Sequence, residues 1–176
     1  MIFESPVMDI KYSPDNKFFA VFYKSSRIVI FNVEKGYQPV KTIDYEFPNE
    51  NYFSISFSSD GKYLANISSN ANNVTVWETK NFSLKFHLDL TGDIISKIQF
   101  APNGKDLVVL TTSSKMKFYR INLSELLFNK DIYGLTDLEC LDFEISPNNK
   151  FIACCGKEGV VKIYDYYMRG SAIPSS

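Results

Sequence analysis

Four times along the chain the same short block returns: Ser13-Pro14-Asp15-Asn16-Lys17, Ser58-Ser59-Asp60-Gly61-Lys62, Ala101-Pro102-Asn103-Gly104-Lys105 and Ser146-Pro147-Asn148-Asn149-Lys150. The steps between the blocks are 45, 43 and 45 residues. An aromatic side chain follows each block 18 or 19 residues later, and the four are Phe31, Trp77, Tyr119 and Tyr164. Two landmarks that keep a constant separation through four copies indicate a repeat architecture.

A short alternating segment precedes each block. In the second copy Ile55 and Phe57 share one face while Ser56 takes the other, and the remaining copies follow the same period of two. This period predicts a strand. The block itself is rich in Pro, Asp, Asn and Gly, which form tight turns, so it predicts a hairpin leading to a second strand.

The second strand of each repeat is a nearly continuous apolar run, which is typical of a strand covered on both faces. The four runs cover residues 18–22, 63–67, 107–110 and 151–155. One position in them holds only small or β-branched residues: Ala20, Ala65, Val108 and Ala153. A small side chain at a fixed position favours close contact between neighbouring sheets.

Polar turns lead into third strands at 28–33, 74–79, 116–121 and 160–166, and more mixed sequences predict outer strands at 40–45, 82–88 and 126–132. A short helical turn is the alternative at 123–129, where Ser124 offers an N-cap. Four antiparallel strands repeated around an axis make a β-propeller. The chain is therefore predicted as all-β, with four blades at about 5–46, 51–90, 94–135 and 138–166. The last blade lacks its outer strand, and 167–176 forms a tail or truncated linker.

These repeats resemble those of the WD-repeat family. The resemblance rests on the turn block, the alternating strand before it, and an aromatic-acidic pair closing the third strand, best seen in Trp77-Glu78 and Tyr164-Asp165. The family pattern adds a Gly-His pair before the first strand and an Asp before the third. The single histidine, His87, falls in a predicted outer strand instead. The polar tetrad of the family is therefore predicted to be absent, leaving the blades to depend on apolar packing.

A finer resemblance links the run 160–169 to one repeat of the proximal-centriole WD-repeat proteins, and 64–66 with 74–77 to their preceding blades. That family comprises large multi-propeller proteins of the centriole wall and ciliary microtubules. The resemblance implies a scaffold in the cytoplasm and cytoskeleton, at the centriole, basal body or cilium. Tubulin and centriolar or axonemal proteins are then the expected partners. A second interpretation is an adaptor propeller that recruits substrates to a ubiquitin-ligase or signalling complex.

Known propellers close with four to eight blades. The resemblance to WD-repeat proteins implies a ring of seven blades more often than one of four. Because the fourth repeat also ends after its third strand, the chain is expected to form an incomplete ring. Two uncovered end blades predict an apolar patch at each end and self-association through these patches.

Catalysis is not expected from this sequence. One histidine, dispersed carboxylates and no Gly-rich phosphate loop offer no catalytic constellation, so neither enzyme activity nor a cofactor or metal is predicted. The net charge of −1 gives no attraction to nucleic acid or anionic lipid. No apolar run approaches the ~20 residues of a membrane span. Cys140, Cys154 and Cys155 lack a Cys-x-x-Cys spacing and are predicted as reduced thiols, with the adjacent pair on opposite faces.

Five basic residues make up the candidate partner-binding rim: Lys24, Arg27, Lys115, Lys117 and Lys157. They lie in or beside the turns that join second and third strands, which share one rim of a propeller. A basic crescent there would attract an acidic partner such as the tubulin surface. The alternative is that these side chains only keep turns and sheet edges soluble.

Overall fold

The computed structural model describes residues 5–25, 27–44, 52–68, 71–121, 125–131 and 139–166, and gives only the backbone for 125–131. None of these residues forms a helix long and apolar enough to cross a membrane. The described strands are β1 (Val7–Tyr12), β2 (Phe18–Tyr23), β3 (Arg27–Asn32), β4 (Gln38–Asp44), β5 (Ile55–Phe57), β6 (Tyr63–Ile67), β7 (Asn73–Glu78), β8 (Ser83–Asp89), β9 (Ile95–Phe100), β10 (Asp106–Thr111), β11 (Lys115–Arg120), β12 (Glu125–Asp131), β13 (Cys140–Ile145), β14 (Phe151–Gly156) and β15 (Val161–Asp165).

Within the described ranges the strands form four antiparallel sheets in chain order: β1-β2-β3-β4, β5-β6-β7-β8, β9-β10-β11-β12 and β13-β14-β15. The predicted all-β propeller segment is confirmed, and each sheet falls within one of the four predicted blade ranges. The helical alternative at 123–129 is wrong, because 125–131 forms β12 and pairs with β11. The predicted tail 167–176 lies outside the described residues.

The repeated block is a turn that passes through a left-handed backbone conformation. Its fourth residue has positive φ in every copy: Asn16 at 58°, Gly61 at 70°, Gly104 at 68° and Asn149 at 55°. Asn and Gly tolerate this conformation better than other residues. The Ser13 hydroxyl donates to Asp15 Oδ1 at 2.7 Å and accepts from the Phe18 N–H at 2.9 Å. The second block repeats both bonds, and the fourth does so with Asn148 in place of the aspartate.

The four aromatic landmarks occupy equivalent places, as predicted. Each lies opposite the second residue of its second strand: Phe31 opposite Phe19, Trp77 opposite Leu64, Tyr119 opposite Leu107 and Tyr164 opposite Ile152. In the first three blades, the pairing of third and fourth strands also shifts register at this aromatic residue. The repeats are therefore copies in backbone geometry as well as in sequence.

Each blade is sealed against the next by apolar side chains. The face toward the next blade along the chain is here named the forward flank, and the opposite face the backward flank. Three apolar clusters each join the forward flank of one blade to the backward flank of the next. One residue from each side of the three clusters is Ala20 with Leu64, Ala65 with Leu107, and Val108 with Ile152. All six residues of β10 are buried. Continuous apolarity thus reflects cover on both flanks in β6 and β10, whereas in β14 only the backward flank is covered.

Buried polar bonds support the blades in addition to the apolar packing on which the sequence predicts that they depend. In the second blade the Trp77 indole N–H donates to Oδ1 of the fully buried Asn66 at 2.7 Å. The Asn66 amide in turn donates to the Ile67 carbonyl at 2.9 Å. A buried amide that satisfies a Trp N–H stabilises this blade without any histidine.

A buried carboxylate ties the third blade to the fourth. Asp106 is 2% exposed and lies 2.5 Å from Nε of Arg120. Its other oxygen accepts from Asn103 at 2.8 Å and from the Tyr166 hydroxyl at 3.3 Å. Because all of these donors converge on one carboxylate, its burial is compensated by hydrogen bonds and an ion pair.

The cysteines only partly follow the prediction. Cys154 is buried and Cys155 is exposed, so the adjacent pair does point to opposite faces. Cys140 on β13 and Cys154 on β14 form a disulfide, with Cα atoms 6.0 Å apart. The expectation of three reduced thiols is therefore wrong for this pair and holds for Cys155.

Exposed large apolar side chains concentrate on the two end blades. Apart from Leu84 and Ile94, those in the described part of the chain are Val7, Met8, Ile10, Tyr12, Val40, Leu141, Phe151, Val160, Val161 and Ile163. The two ends differ, because Val21 on the backward flank of the first blade is 1% exposed. The predicted apolar patch is therefore open on the fourth blade, whereas Val21, Tyr23 and Phe31 on the backward flank of the first blade are covered within the chain.

Replacing Phe118 with alanine should lower the free energy of unfolding by about 3–5 kcal/mol. The ring is fully buried between the third and fourth blades and meets Tyr166 edge-on, with ring centroids 5.7 Å apart. Leu84→Ala is the control, since Leu84 is 48% exposed on β8 and should change stability by less than about 0.5 kcal/mol. Equal losses for both variants in urea unfolding would contradict the packing described here.

Candidate functional site

Alternating strand directions bring the turns between second and third strands next to the connections between blades. The Lys24 N–H donates to the Pro6 carbonyl at 2.9 Å, and the Thr112 N–H to the Ile94 carbonyl at 2.8 Å. This end of the blades is here named the upper rim. The predicted basic residues lie in its turns or within the first three residues of the third strands: Lys24, Arg27, Lys115, Lys117 and Lys157.

Most of the basic residues on the upper rim are engaged with carboxylates. The pairs are Arg27 with Asp44 at 2.6 Å, Lys115 with Asp93 at 3.8 Å, Lys117 with Asp93 at 2.6 Å and Lys157 with Glu139 at 2.7 Å. Among the described residues only Lys24 of the five has no carboxylate partner. Partner binding by this rim stays a prediction, but most of its positive charge is compensated within the chain.

Asp93 contacts several polar side chains at the upper rim of the third blade. Its carboxylate is 14% exposed and lies 2.6 Å from Lys117 Nζ, while Ser113 donates to it at 3.4 Å. The hydrogen bond from Lys117 lowers the pKa of Asp93 below its ordinary value, although burial opposes this shift. The dipeptide Gly92-Asp93 stands before the first strand, where the WD-repeat pattern has Gly-His. An ion pair thus joins this connection to the third strand.

The first strands of the four blades form a polar inner trough. Strands β1, β5, β9 and β13 lie side by side in that order and together line a cavity of about 540 Å3. Side chains tie these strands to one another: Asp9 accepts from the Ile55 N–H at 2.9 Å, Ser56 from the Phe100 N–H at 2.9 Å, and Glu144 from the Gln99 amide at 2.6 Å. The wall of the trough is thus cross-linked by polar bonds from blade to blade.

Apolar anchors and both signs of charge meet in the inner trough. Met8, Tyr12 and Leu141 line it and are 42%, 50% and 46% exposed. Lys11 and Glu144 are exposed beside them. Exposed aromatic and aliphatic side chains on a concave polar wall are characteristic of protein-binding surfaces. This arrangement suits the inner trough to binding a protein segment.

Sequence reasoning did not single out the inner trough. The alternation of the first strands predicts strands with one buried face and assigns no role to the opposite face. A signal was present, because the same position of these strands is polar in every repeat: Lys11, Ser56, Gln99 and Glu144. All four line the cavity.

No group of three or more His, Cys, Asp or Glu among the described residues is arranged to hold a metal ion. His87 is exposed on the outer strand β8, with its Nδ1 3.1 Å from the Thr75 hydroxyl.

Comparison with known proteins gives two matching sequence families. The family described as Eukaryotic translation initiation factor eIF2A matches residues 1–128, and the one described as WD domain, G-beta repeat matches residues 132–165. Polyadenylation factor subunit 2 from two strains of Cryptococcus neoformans var. neoformans serotype D is 27% identical over 94 residues. That segment is 52% of this chain and only 12% of the relative.

The solved structure of U3-55K superposes on this chain with a TM-score of 0.78 at 17% identity. The match covers 98% of this chain and 52% of that one. At this identity the likeness shows the fold. The chain spans about half of the U3-55K chain and a small part of the polyadenylation factor.

Asp93→Asn should destabilise the protein at neutral pH and have progressively less effect in acid. The folded-state pKa of Asp93 is depressed, so the stabilising effect of its carboxylate is present above the unfolded pKa of about 3.9 and is lost as pH falls through the folded value. In urea unfolding, the free energy of unfolding of the variant should be about 1–2 kcal/mol lower than that of the wild type at neutral pH. This difference should narrow below pH ~4.

The matched control is the same substitution in a Lys117→Met background. With the lysine already absent, Asp93→Asn should have a smaller effect at neutral pH, since the two side chains are coupled. If Asp93→Asn lowered the free energy of unfolding by the same amount at every pH, with or without Lys117, the ion pair would be contradicted.

Proposed function

The chain belongs to the eukaryotic translation initiation factor eIF2A family and carries WD repeats, and from this premise we propose that it is a non-catalytic protein-interaction scaffold. The observation that carries the proposal is the inner trough, with apolar anchors exposed on a wall of four first strands. Sealed flanks hold those strands in place. A partner therefore meets a preorganised surface, which limits the entropy lost on binding.

Tyr12 is the central anchor of this proposal. Its hydroxyl lies 3.0 Å from that of Tyr37, and its ring centroid lies 4.7 Å from that of Phe19. These contacts fix the side chain while leaving half of its surface open. Rigid, partly exposed tyrosines of this kind often dominate binding energy. The complementary partner is an extended segment with an apolar residue flanked by charges that match Lys11 and Glu144.

The partners proposed for the scaffold are proteins of complexes that handle RNA, translation initiation complexes first among them. Support comes from the description of the matching family and from the name of the polyadenylation factor relative. Contact with protein components is expected rather than with nucleic acid. The net charge is −1, and four of the five upper-rim cations have carboxylate neighbours.

The double substitution Tyr12→Ala and Leu141→Ala should abolish partner binding while leaving the fold intact. Both side chains are about half exposed, and loss of an aromatic hot spot weakens binding by at least ~10-fold. The measurement is quantitative affinity capture from a lysate with the wild type, the double variant and a Leu84→Ala control. Proteins of initiation or RNA-processing complexes should be captured by the wild type and the control only. Capture of the same proteins by all three chains would contradict a role for the trough.

A finer hypothesis, based on the sequence resemblance, is a centriole- or cilium-associated microtubule protein that contacts tubulin or axonemal proteins through the upper rim. The relatives named above give it no support, and the ion pairs of the rim weaken its electrostatic basis. Microtubule co-sedimentation across a salt series tests it directly. Binding that fades with salt would support the hypothesis, and no binding at low salt would remove it.

The remaining alternative is an adaptor that recruits substrates to a ubiquitin-ligase or signalling complex. The inner trough would serve that role equally well, because it binds a segment of a partner in either case. Affinity capture separates the two roles. If the wild type captured ligase subunits and the double variant at Tyr12 and Leu141 did not, the adaptor would be favoured over the RNA-complex scaffold.

A further inference from the structure

The lysine that ends each turn block meets a different charge in the first two copies and the last two. Its N–H donates to the third residue of the block in every copy, at 3.1, 3.1, 2.9 and 3.0 Å, and these acceptors are Asp15, Asp60, Asn103 and Asn148 in turn. A carboxylate oxygen and an amide oxygen accept this bond in the same way. The change from Asp to Asn in the last two blocks therefore removes a negative charge while the turn stays the same.

Because of this change, the lysines of the last two blocks lack a carboxylate partner. The lysines of the first two blocks lie 3.4 and 3.1 Å from the aspartates of their own blocks. Lys105 and Lys150 are exposed, and neither forms an ion pair with a residue in the described ranges. Asp165 lies across the sheet from Phe151, which follows Lys150, but it does not pair with that lysine. The rim that carries the turn blocks, here named the lower rim, thus has uncompensated positive charge in the last two blades.

Arg120 adds a third cation at the same place. Its Nε donates to the buried Asp106 at 2.5 Å, which fixes the guanidinium, and its side chain is 36% exposed. Lys105 directly precedes Asp106. The Lys150 carbonyl accepts from the Tyr166 N–H at 2.7 Å, and the hydroxyl of this tyrosine lies 3.3 Å from Asp106 Oδ2. Lys105, Arg120 and Lys150 therefore lie around one buried carboxylate, and they are here named the lower-rim patch.

The lower-rim patch offers hydrogen-bond donors to an anion. Only Nε of Arg120 is hydrogen-bonded within the described part of the chain, so its two terminal nitrogens can still donate. A pair of guanidinium N–H groups fits the two oxygens of one carboxylate. The two lysines add mobile point charges that can each meet a further carboxylate. The chemistry of the patch thus matches a ligand with several closely spaced carboxylates.

The extent of the lower-rim patch favours a short acidic protein segment over nucleic acid. The Ser59 hydroxyl of the second block donates to the Pro102 carbonyl of the third at 2.8 Å, so the two turns touch. Next to Ser59 stands Asp60, whose side chain is 36% exposed. Nucleic acid is bound through a long row of phosphate contacts, and such a row would continue over Asp60, where like charges repel. A short segment with a few carboxylates avoids this repulsion.

We propose that the lower-rim patch binds a short acidic segment of a partner protein. Carboxylates of this segment pair with Lys105 and Lys150, and one of them accepts from the terminal nitrogens of Arg120. None of these three side chains lines the inner trough. The patch is therefore a second interaction surface of the scaffold, and it does not depend on what the trough binds.

Fluorescence anisotropy with a labelled hexaglutamate peptide at low salt tests this surface. Asn148→Asp gives the fourth block the charge of the first and keeps both bonds that Asn148 Oδ1 accepts, from the Ser146 hydroxyl and the Lys150 N–H. It should weaken peptide binding about 3–5-fold, as should Lys150→Gln, because one cation is neutralised. Lys17→Gln is the matched control and should leave the affinity unchanged, since this lysine is already paired with Asp15.

The opposite change should strengthen peptide binding. Asp60→Asn releases Lys62 from its ion pair and extends the patch by one cation, so the affinity should rise about 3–5-fold. The proposal would be overturned if the wild type did not bind the peptide, or if Asn148→Asp and the double variant Lys105→Gln with Lys150→Gln both bound it as tightly as the wild type. Tighter binding of a single-stranded oligouridylate, lost in the same double variant, would also overturn it, because the patch would then serve nucleic acid.

Discussion

A four-stranded blade has apolar side chains on both flanks, and it becomes stable only when neighbouring sheets cover them. The described chain meets this constraint three times. Ala20, Ala65 and Val108, each 0% exposed, mark the forward flanks where the next blade approaches. A fully buried Leu or Phe contributes about 1.5–3 kcal/mol, and each interface holds several such side chains. The blades therefore stabilise one another, and the rigidity of the inner trough follows from this packing.

The turn blocks set the distance between blades at the rim opposite the upper one. A Cβ atom on Gly104 would lie 2.9 Å from the Ser59 hydroxyl of the preceding blade, which leaves no room for a side chain. That hydroxyl donates to the Pro102 carbonyl at 2.8 Å, and the Asn103 N–H donates to Asn149 Oδ1 at 3.0 Å. Turns that touch in this way hold the first strands side by side. The same block that marks the repeat thus also positions the trough.

Periodicity was sufficient to predict the blades from the sequence, because strand alternation, turn residues and spacing are all local properties. The polar contacts are not local, and for this reason they were missed. Asp106 stands where other repeats have Phe or Tyr, and its partner Arg120 is fixed only by strand register. Cys140 and Cys154 meet across two strands joined by the fourth turn block. On the upper rim, the carboxylates that neutralise the basic residues come partly from the connections between blades, as Asp93 shows.

Dependence of each blade on its neighbour is the central claim, and hydrogen exchange of a Leu107→Ala variant tests it most directly. Leu107 belongs to the third blade but packs against Ala65 and Val76 of the second. Removing its side chain should speed amide exchange in β6 and β7 as well as in β10, because the two sheets share one apolar layer. Faster exchange confined to the third blade, with the second blade unchanged, would show that the blades are independent and would contradict the account.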